Sequence, residues 1–63
     1  MIHDTCVKCT KSNHSDFKLG GTYMVGEFGY VLQWCINDDF NIYKKWDDES
    51  SGLIASFIEV RIK

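Results

Sequence analysis

The chain has little of what marks a membrane or secreted protein. Its 63 residues include no proline, no repeat and no low-complexity tract. No apolar run approaches the length of about 20 residues that a membrane-spanning helix needs. The segment "MIHDTC" (1–6) lacks the basic stretch and the apolar run of a signal peptide. We therefore expect a single domain over residues 1–63, no membrane partner and a location in the cytosol.

Neither sign of charge is present in large excess. Seven Lys and Arg residues against nine Asp and Glu residues give a net charge of −2, and the basic side chains are scattered along the chain. Proteins that bind duplex DNA concentrate Lys and Arg on one face. The composition therefore argues against nucleic acid as a general partner and favours a basic one.

Cysteine is too rare, and odd in number, for a disulfide framework. The chain has three cysteines, whereas small secreted proteins carry an even number at paired spacings. The odd count instead indicates free thiols in a reducing compartment.

Strand signal is abundant. Hydrophobic residues make up 44% of the chain, which is enough for a core and argues against disorder. Apolar and polar residues alternate with period two, as in half-buried strands. The predicted strands cover residues 4–10, 22–28, 30–36, 40–46 and 58–63. The segment "LIASF" (53–57) lacks alternation and is predicted as one helical turn.

This order of elements predicts an all-β fold, a small five-stranded SH3-like barrel with a short helical turn before the last strand. Closure of the sheet limits the exposed edges of so short a chain. In the last strand, Ile58 is expected to point inward with its apolar neighbours. Strand parity predicts burial of Phe17, Tyr23, Leu32, Trp34, Ile42, Val60 and Ile62.

The stretch "CVKCTKSNHSDFKLGGTYMV" (6–25) resembles the opening of a group of small bacteriophage-encoded proteins. In that family a Cys-(Ile/Val)-Lys strand and a polar turn precede a Phe/Leu-x-Leu/Val-Gly-x-x-Tyr-x-Val bend, and the ending is similar to "FIEV" (57–60). The chain departs from the pattern at Gly21 and Cys9. The matching residues are Cys6, Val7, Lys8, Phe17, Leu19, Gly20, Tyr23 and Val25.

The resemblance implies an SH3-like barrel of phage origin that binds and blocks a host protein, such as a defence nuclease, the transcription machinery or a toxin. It also implies a bend in which Gly20 has a positive φ. Phe17 and Leu19 are then expected to tuck under this bend.

A zinc site would need ligands from Cys6, Cys9, His14 and either His3 or Cys35. Residues i and i+3 of a strand lie on opposite faces, however, and Cys6 and Cys9 fall in a predicted strand. No second Cys-x-x-Cys pair occurs. We therefore expect no metal and no cofactor, with a zinc-stabilised adaptor kept as an alternative.

A nucleophilic Cys–His pair is another potential catalytic pattern in the sequence. Cys35 falls in a predicted central strand, where a buried thiol is inert. A barrel of this size leaves little room for a pocket that excludes water. We expect no enzymatic activity.

The acidic residues form two groups, Asp38-Asp39 and Asp47-Asp48-Glu49. The predicted strand between them spans about 23 Å. This places the groups at opposite ends of a hairpin arm, too far apart to share one metal. The second group is expected to form an acidic patch that attracts a basic partner.

Nine aromatic residues exceed what a small barrel can bury. Exposed aromatic side chains beside Lys44 and Lys45 suit a protein interface or a stacking platform for single-stranded nucleic acid. A homodimer would also bury the surplus aromatic side chains. Trp46 is the predicted main anchor of the interface. The predicted partner-binding residues are Phe28, Tyr30, Tyr43, Lys44, Lys45, Trp46, Asp47, Asp48 and Glu49.

Overall fold

A computed structural model describes residues 5–60, so His3 and Ile62 lie outside the described residues. Within this described range the fold is all-β, with six antiparallel strands and two short 3-10 turns, at Glu27–Gly29 and Glu49–Ser51. No helix in this range is long and apolar enough to cross a membrane. The strands are β1 (Thr5–Ser12), β2 (Thr22–Val25), β3 (Tyr30–Val31), β4 (Trp34–Cys35), β5 (Asn41–Tyr43) and β6 (Leu53–Val60).

Strand β1 is the centre of a curled four-stranded sheet with the order β2-β1-β6-β5. Its register places Val7 opposite Tyr23, and Cys9 opposite Phe57. Alternate residues of a strand share a face, so this register builds the inner, apolar face of the sheet. Strands β3 and β4 form a separate hairpin. The buried core consists of Val7, Cys9, Phe17, Val25, Val31, Ile36, Ile42, Ile54, Ala55 and Phe57.

The bend into β2 is a tight turn locked by an aromatic side chain. Gly20 has φ 82°, and the Gly21 N–H donates to the Lys18 carbonyl at 2.9 Å. This is the geometry of a type II turn, which favours glycine at its third position. The Lys18 N–H also donates to the Tyr23 hydroxyl at 2.8 Å. The predicted positive φ at Gly20 is confirmed.

Phe17 follows the predicted packing under this bend and Leu19 does not. Phe17 is buried and meets Tyr23 and Phe57 edge to face, with ring centroids 5.6 and 5.4 Å apart. Such pairs stabilise a core beyond their area burial. Leu19 is 72% exposed because it occupies the outer corner of the turn, so the prediction for it was wrong.

The predicted third strand is broken by a hairpin turn. Leu32 and Gln33 have φ values of 48° and 70°, the signature of a two-residue type I′ turn between β3 and β4. The count is therefore six strands rather than five. Leu32 lies at the tip and is 52% exposed, which contradicts its predicted burial, while Trp34 is half-buried.

The predicted helical turn at 53–57 was wrong, because these residues begin β6 and pair with β1 and β5. A helical turn does precede the last strand, but at Glu49–Ser51. The register turns Ile58 outward, opposite Lys8, and leaves it 57% exposed instead of buried. Val60 is half-buried opposite Cys6.

Gly21→Ala should destabilise the fold by about 1–3 kcal/mol through overpacking. A Cβ at this position would lie 3.0 Å from the Tyr23 hydroxyl and 3.1 Å from the Lys18 carbonyl, and neither group is free to move. Urea unfolding measures the change. Gly26→Ala is the matched control, since its Cβ would meet only the Tyr30 carbonyl at 3.7 Å. Equal stability of the two variants would contradict the assigned role of Gly21.

Candidate functional site

Asn37 organises the turn between β4 and β5. It is 3% exposed, and its side-chain oxygen accepts hydrogen bonds from the backbone N–H groups of Asp39 and Asn41, both at 3.0 Å. Its backbone closes the same turn by donating to the Asn41 carbonyl and accepting from the Phe40 N–H. Asn37 also donates through Nδ2 to Asp47 Oδ1 at 3.2 Å. One buried amide therefore ties the 37–41 turn to the loop that follows β5.

That second loop, residues 44–52, is held by its own polar groups. The Lys44 N–H donates to the Gly52 carbonyl at 3.0 Å and closes the loop at its base. The Lys45 N–H donates to Ser51 Oγ at 2.9 Å, and Asp48 Oδ1 accepts from the Ser50 N–H at 3.0 Å. Asp48 thus caps the Glu49–Ser51 turn, as Asp commonly does. The loop positions Trp46 and Asp47 at the surface.

An apolar cavity of about 430 Å³ opens between four segments of the chain. It is lined by Phe28, Cys35, Asp38 and Trp46. Phe28 is 71% exposed and Trp46 is 55% exposed. Burial raises the pKa of the Cys35 thiol, so this side chain is neutral and adds to the apolar lining. Two large aromatic side chains from distant parts of the sequence therefore face one open cavity.

An acidic cavity of about 460 Å³ lies beside the apolar one. Its lining unites the two acidic groups of the sequence, so their predicted separation of about 23 Å was wrong. The reason is that β5 has only three residues, Asn41–Tyr43, and the chain then folds back. The lining residues are Asn37, Asp39, Tyr43, Asp47, Asp48, Glu49 and Ser50.

Neighbouring residues of the same two loops line the two cavities. Asp38 lines the apolar cavity and Asp39 the acidic one, and in the next loop Trp46 lines the apolar cavity and Asp47 the acidic one. Consecutive Cα atoms are about 3.8 Å apart, so the two linings meet at these residue pairs. The Asn37–Asp47 hydrogen bond crosses between the two loops.

The acidic cavity holds an excess of negative charge. Five of the nine acidic residues of the chain fall within 38–49, and no lysine in residues 5–60 lies within 4.0 Å of their carboxylates. Tyr43 donates to Glu49 Oε1 at 3.4 Å. Partial burial, and then the charges of Glu49, Asp39 and Asp47, raise the pKa of the Tyr43 phenol. The phenol is therefore a neutral donor among carboxylates.

Three residues at these loops adopt the left-handed backbone region that disfavours L side chains. Phe28 and Phe40 have φ 62° and Asp47 has φ 58°. Each of the two phenylalanines stores roughly 1–2 kcal/mol, whereas Asp tolerates this region, and strain of this kind concentrates at functional sites. Phe28 is the clearest case, because its side chain is exposed and its burial therefore does not offset the backbone strain.

The structure gathers most of the predicted partner-binding residues. Phe28 and Trp46 line the apolar cavity, and Tyr43, Asp47, Asp48 and Glu49 line the acidic one. The remaining three, Tyr30, Lys44 and Lys45, are exposed outside both linings, with Tyr30 paired to Cys35 in the β3–β4 hairpin.

The four described members of the potential zinc set do not converge. Cys6 and Cys9 lie on opposite faces of β1, where Cys9 is buried and donates to the Lys11 carbonyl at 3.1 Å. His14 packs edge-on against Trp34, with centroids 5.3 Å apart, while Cys35 lines the apolar cavity. Between residues 5 and 60 no group of three or more His, Cys, Asp or Glu side chains could hold a metal ion.

Sequence reasoning missed Asn37, Asp38 and Asp39 as members of the site. The available signal was the "NDD" turn itself, because Asn often accepts a hydrogen bond from the backbone two residues ahead. That contact identifies a turn, but nothing in the sequence indicates the Asn37–Asp47 hydrogen bond.

Comparison with protein-family models, curated proteins and solved structures found no match to this chain. The chemistry of the site is therefore inferred from the two cavities themselves.

Asn37→Ala should lower the free energy of unfolding by about 1–3 kcal/mol, because it removes the buried acceptor of two backbone N–H groups. Urea unfolding provides the measurement. Asn13→Ala is the matched control, since Asn13 is exposed and its side chain makes one long hydrogen bond of 3.3 Å to the Leu53 carbonyl. Its cost should stay within about 0.5 kcal/mol. Equal losses in the two variants would contradict the organising role of Asn37.

Tyr43 should ionise above the ordinary phenol pKa of 10.0 in the folded protein. The raised pKa means that folding favours the neutral phenol. Its contribution to the free energy of unfolding is therefore complete below pH 10 and is lost as the pH rises through the folded-state pKa. Difference absorbance titration against Tyr43→Phe isolates this tyrosine from the other two. Glu49→Gln should lower the pKa of Tyr43, whereas Glu27→Gln should leave it unchanged. A Tyr43 pKa at or below 10 would contradict the assignment.

Proposed function

We propose that this chain is a non-enzymatic binding protein of phage type that attaches to a host protein in the host cytosol, such as a defence or regulatory factor, and blocks it. The observation that carries the proposal is the joint exposure of Phe28 and Trp46 around one cavity. Aromatic side chains are frequent energetic centres of protein interfaces. Neither residue is needed in this position by the core.

The strain at Phe28 supports the same proposal. A glycine would fit φ 62° without steric conflict, yet the chain carries a large aromatic residue there and leaves it in water. Since neither backbone preference nor burial favours phenylalanine, recognition of a partner is the role that remains for its ring.

The proposal includes an SH3-like barrel as its framework. The curled sheet and the helical turn directly before the last strand support this fold. The sixth strand arises because the predicted third strand folds into the β3–β4 hairpin.

Single-stranded nucleic acid suits this surface less well. A stacking platform for bases requires nearby positive charge to hold phosphates. Asp38 lines the aromatic cavity and four carboxylate residues line its neighbour, while Lys44 and Lys45 lie outside both linings. The placement of Cys6 and Cys9 on opposite faces of β1 weighs against the zinc-stabilised adaptor.

Affinity capture from bacterial lysate with four forms of the protein tests the proposal. The wild type and Leu19→Ala should enrich the same host protein, because Leu19 is 72% exposed but lies in the 18–21 turn outside both cavities. Trp46→Ala and Phe28→Gly should lose it, with a cost of about 2 kcal/mol or more for the tryptophan. The captured protein should lose activity when the wild type is added.

Phe28→Gly also controls for folding, because relief of the backbone strain should leave its thermal stability equal to or above that of the wild type. The proposal fails if no host protein is enriched, or if both cavity variants retain the same partner as the wild type.

A further inference from the structure

We propose that the two cavities together recognise a basic peptide segment of the partner, in which one large apolar side chain is followed closely by Lys or Arg. The apolar side chain enters the cavity between Phe28 and Trp46, and the cation enters the acidic cavity. This inference rests on the proposed function and assigns the chemistry of the partner.

The apolar half of the site selects one large side chain. Phe28, Cys35 and Trp46 provide two aromatic rings and a neutral thiol around about 430 Å³. A cavity of this volume is at the small end of those that hold ligands, so it has room for a large apolar side chain such as leucine, methionine or an aromatic residue. Asp38 at its margin favours a positively charged residue next to that anchor.

The acidic half selects a cation. Asp39, Asp47, Asp48 and Glu49 line one cavity without a lysine in the described residues to neutralise them. Tyr43 lies in the same lining and donates to Glu49 Oε1 at 3.4 Å. Partial burial, and then the charges of Glu49, Asp39 and Asp47, raise the pKa of its phenol. A Lys or Arg from a partner would complement these carboxylates, and the planar guanidinium of Arg could donate two parallel hydrogen bonds to one carboxylate.

The division of neighbouring residues between the cavities sets the spacing of the peptide. Trp46 and Asp47 face different cavities although they are consecutive, and so do Asp38 and Asp39. The anchor and the cation of the partner must therefore lie within a few residues of each other. A folded partner could present the pair on a loop, but a short peptide already contains both determinants.

Fluorescence anisotropy with four fluorescein-labelled peptides tests the inference directly. The first carries Leu followed by Arg and Lys in a Gly/Ser background, and the others replace its basic residues by Gln, its basic residues by Glu, or its Leu by Ser. The first should bind best, and Trp46→Ala should weaken it at least about 30-fold. Asp47→Asn and Glu49→Gln should each weaken it by about two- to five-fold and reduce its salt dependence. Leu19→Ala should bind as the wild type does.

Other outcomes overturn the inference and assign the surface differently. Equal binding of the Gln or Glu peptide would remove the acidic cavity from recognition, and equal binding of the Ser peptide would remove the apolar one. Preferential binding of labelled oligothymidine would assign the surface to nucleic acid. A dimer in sedimentation that Trp46→Ala dissociates would assign it to a second copy. If no peptide binds while lysate capture still depends on Trp46, the proposed function survives and this inference fails.

Discussion

The buried side chain of Asn37 is the contact on which the surface of this small protein depends. It satisfies two backbone N–H groups of its own turn and donates to Asp47 in the next loop. A buried amide that lost these partners would be costly, so the two loops have few alternative arrangements. Their fixed position brings Trp46 next to Phe28 and brings the two acidic groups together. The site is therefore a consequence of one satisfied polar side chain inside an otherwise apolar core.

The sheet supplies the rigid support for these loops. Its inner face follows directly from alternation in β1, where Val7 and Cys9 are buried and Lys8 is exposed. The aromatic contacts among Phe17, Tyr23 and Phe57 close one end of this core. The loops at residues 37–41 and 44–52 can therefore hold strained residues, because the strands that flank them are paired and packed. The packed sheet and the candidate site therefore occupy different parts of the chain.

The all-β class, the first strand and the bend at Gly20 could be predicted because each has a local signal: alternation in the strands and glycine at the turn. The failures also have a common physical cause. Leu32, Gln33 and Phe40 adopt positive φ, where local preference places Gly, Asn or Asp. The alternation of 30–36 therefore concealed a hairpin turn. In the same way, the alternation of residues 40–46 predicted a seven-residue strand, whereas β5 covers only Asn41–Tyr43. The chain then reverses and brings the two acidic groups together.

The exposure of several aromatic residues could be predicted from their number alone, since a core of this size cannot bury nine of them. Their arrangement could not, because it depends on tertiary contacts between loops far apart in sequence. The unexpected turns and the site are connected: Phe28 and Asp47 have positive φ values, as do the positions that misled the strand prediction. Departures from local preference are expected where a sequence serves binding as well as folding. In this chain Phe28 combines a positive φ with a side chain that is 71% exposed, so a partner can reach it.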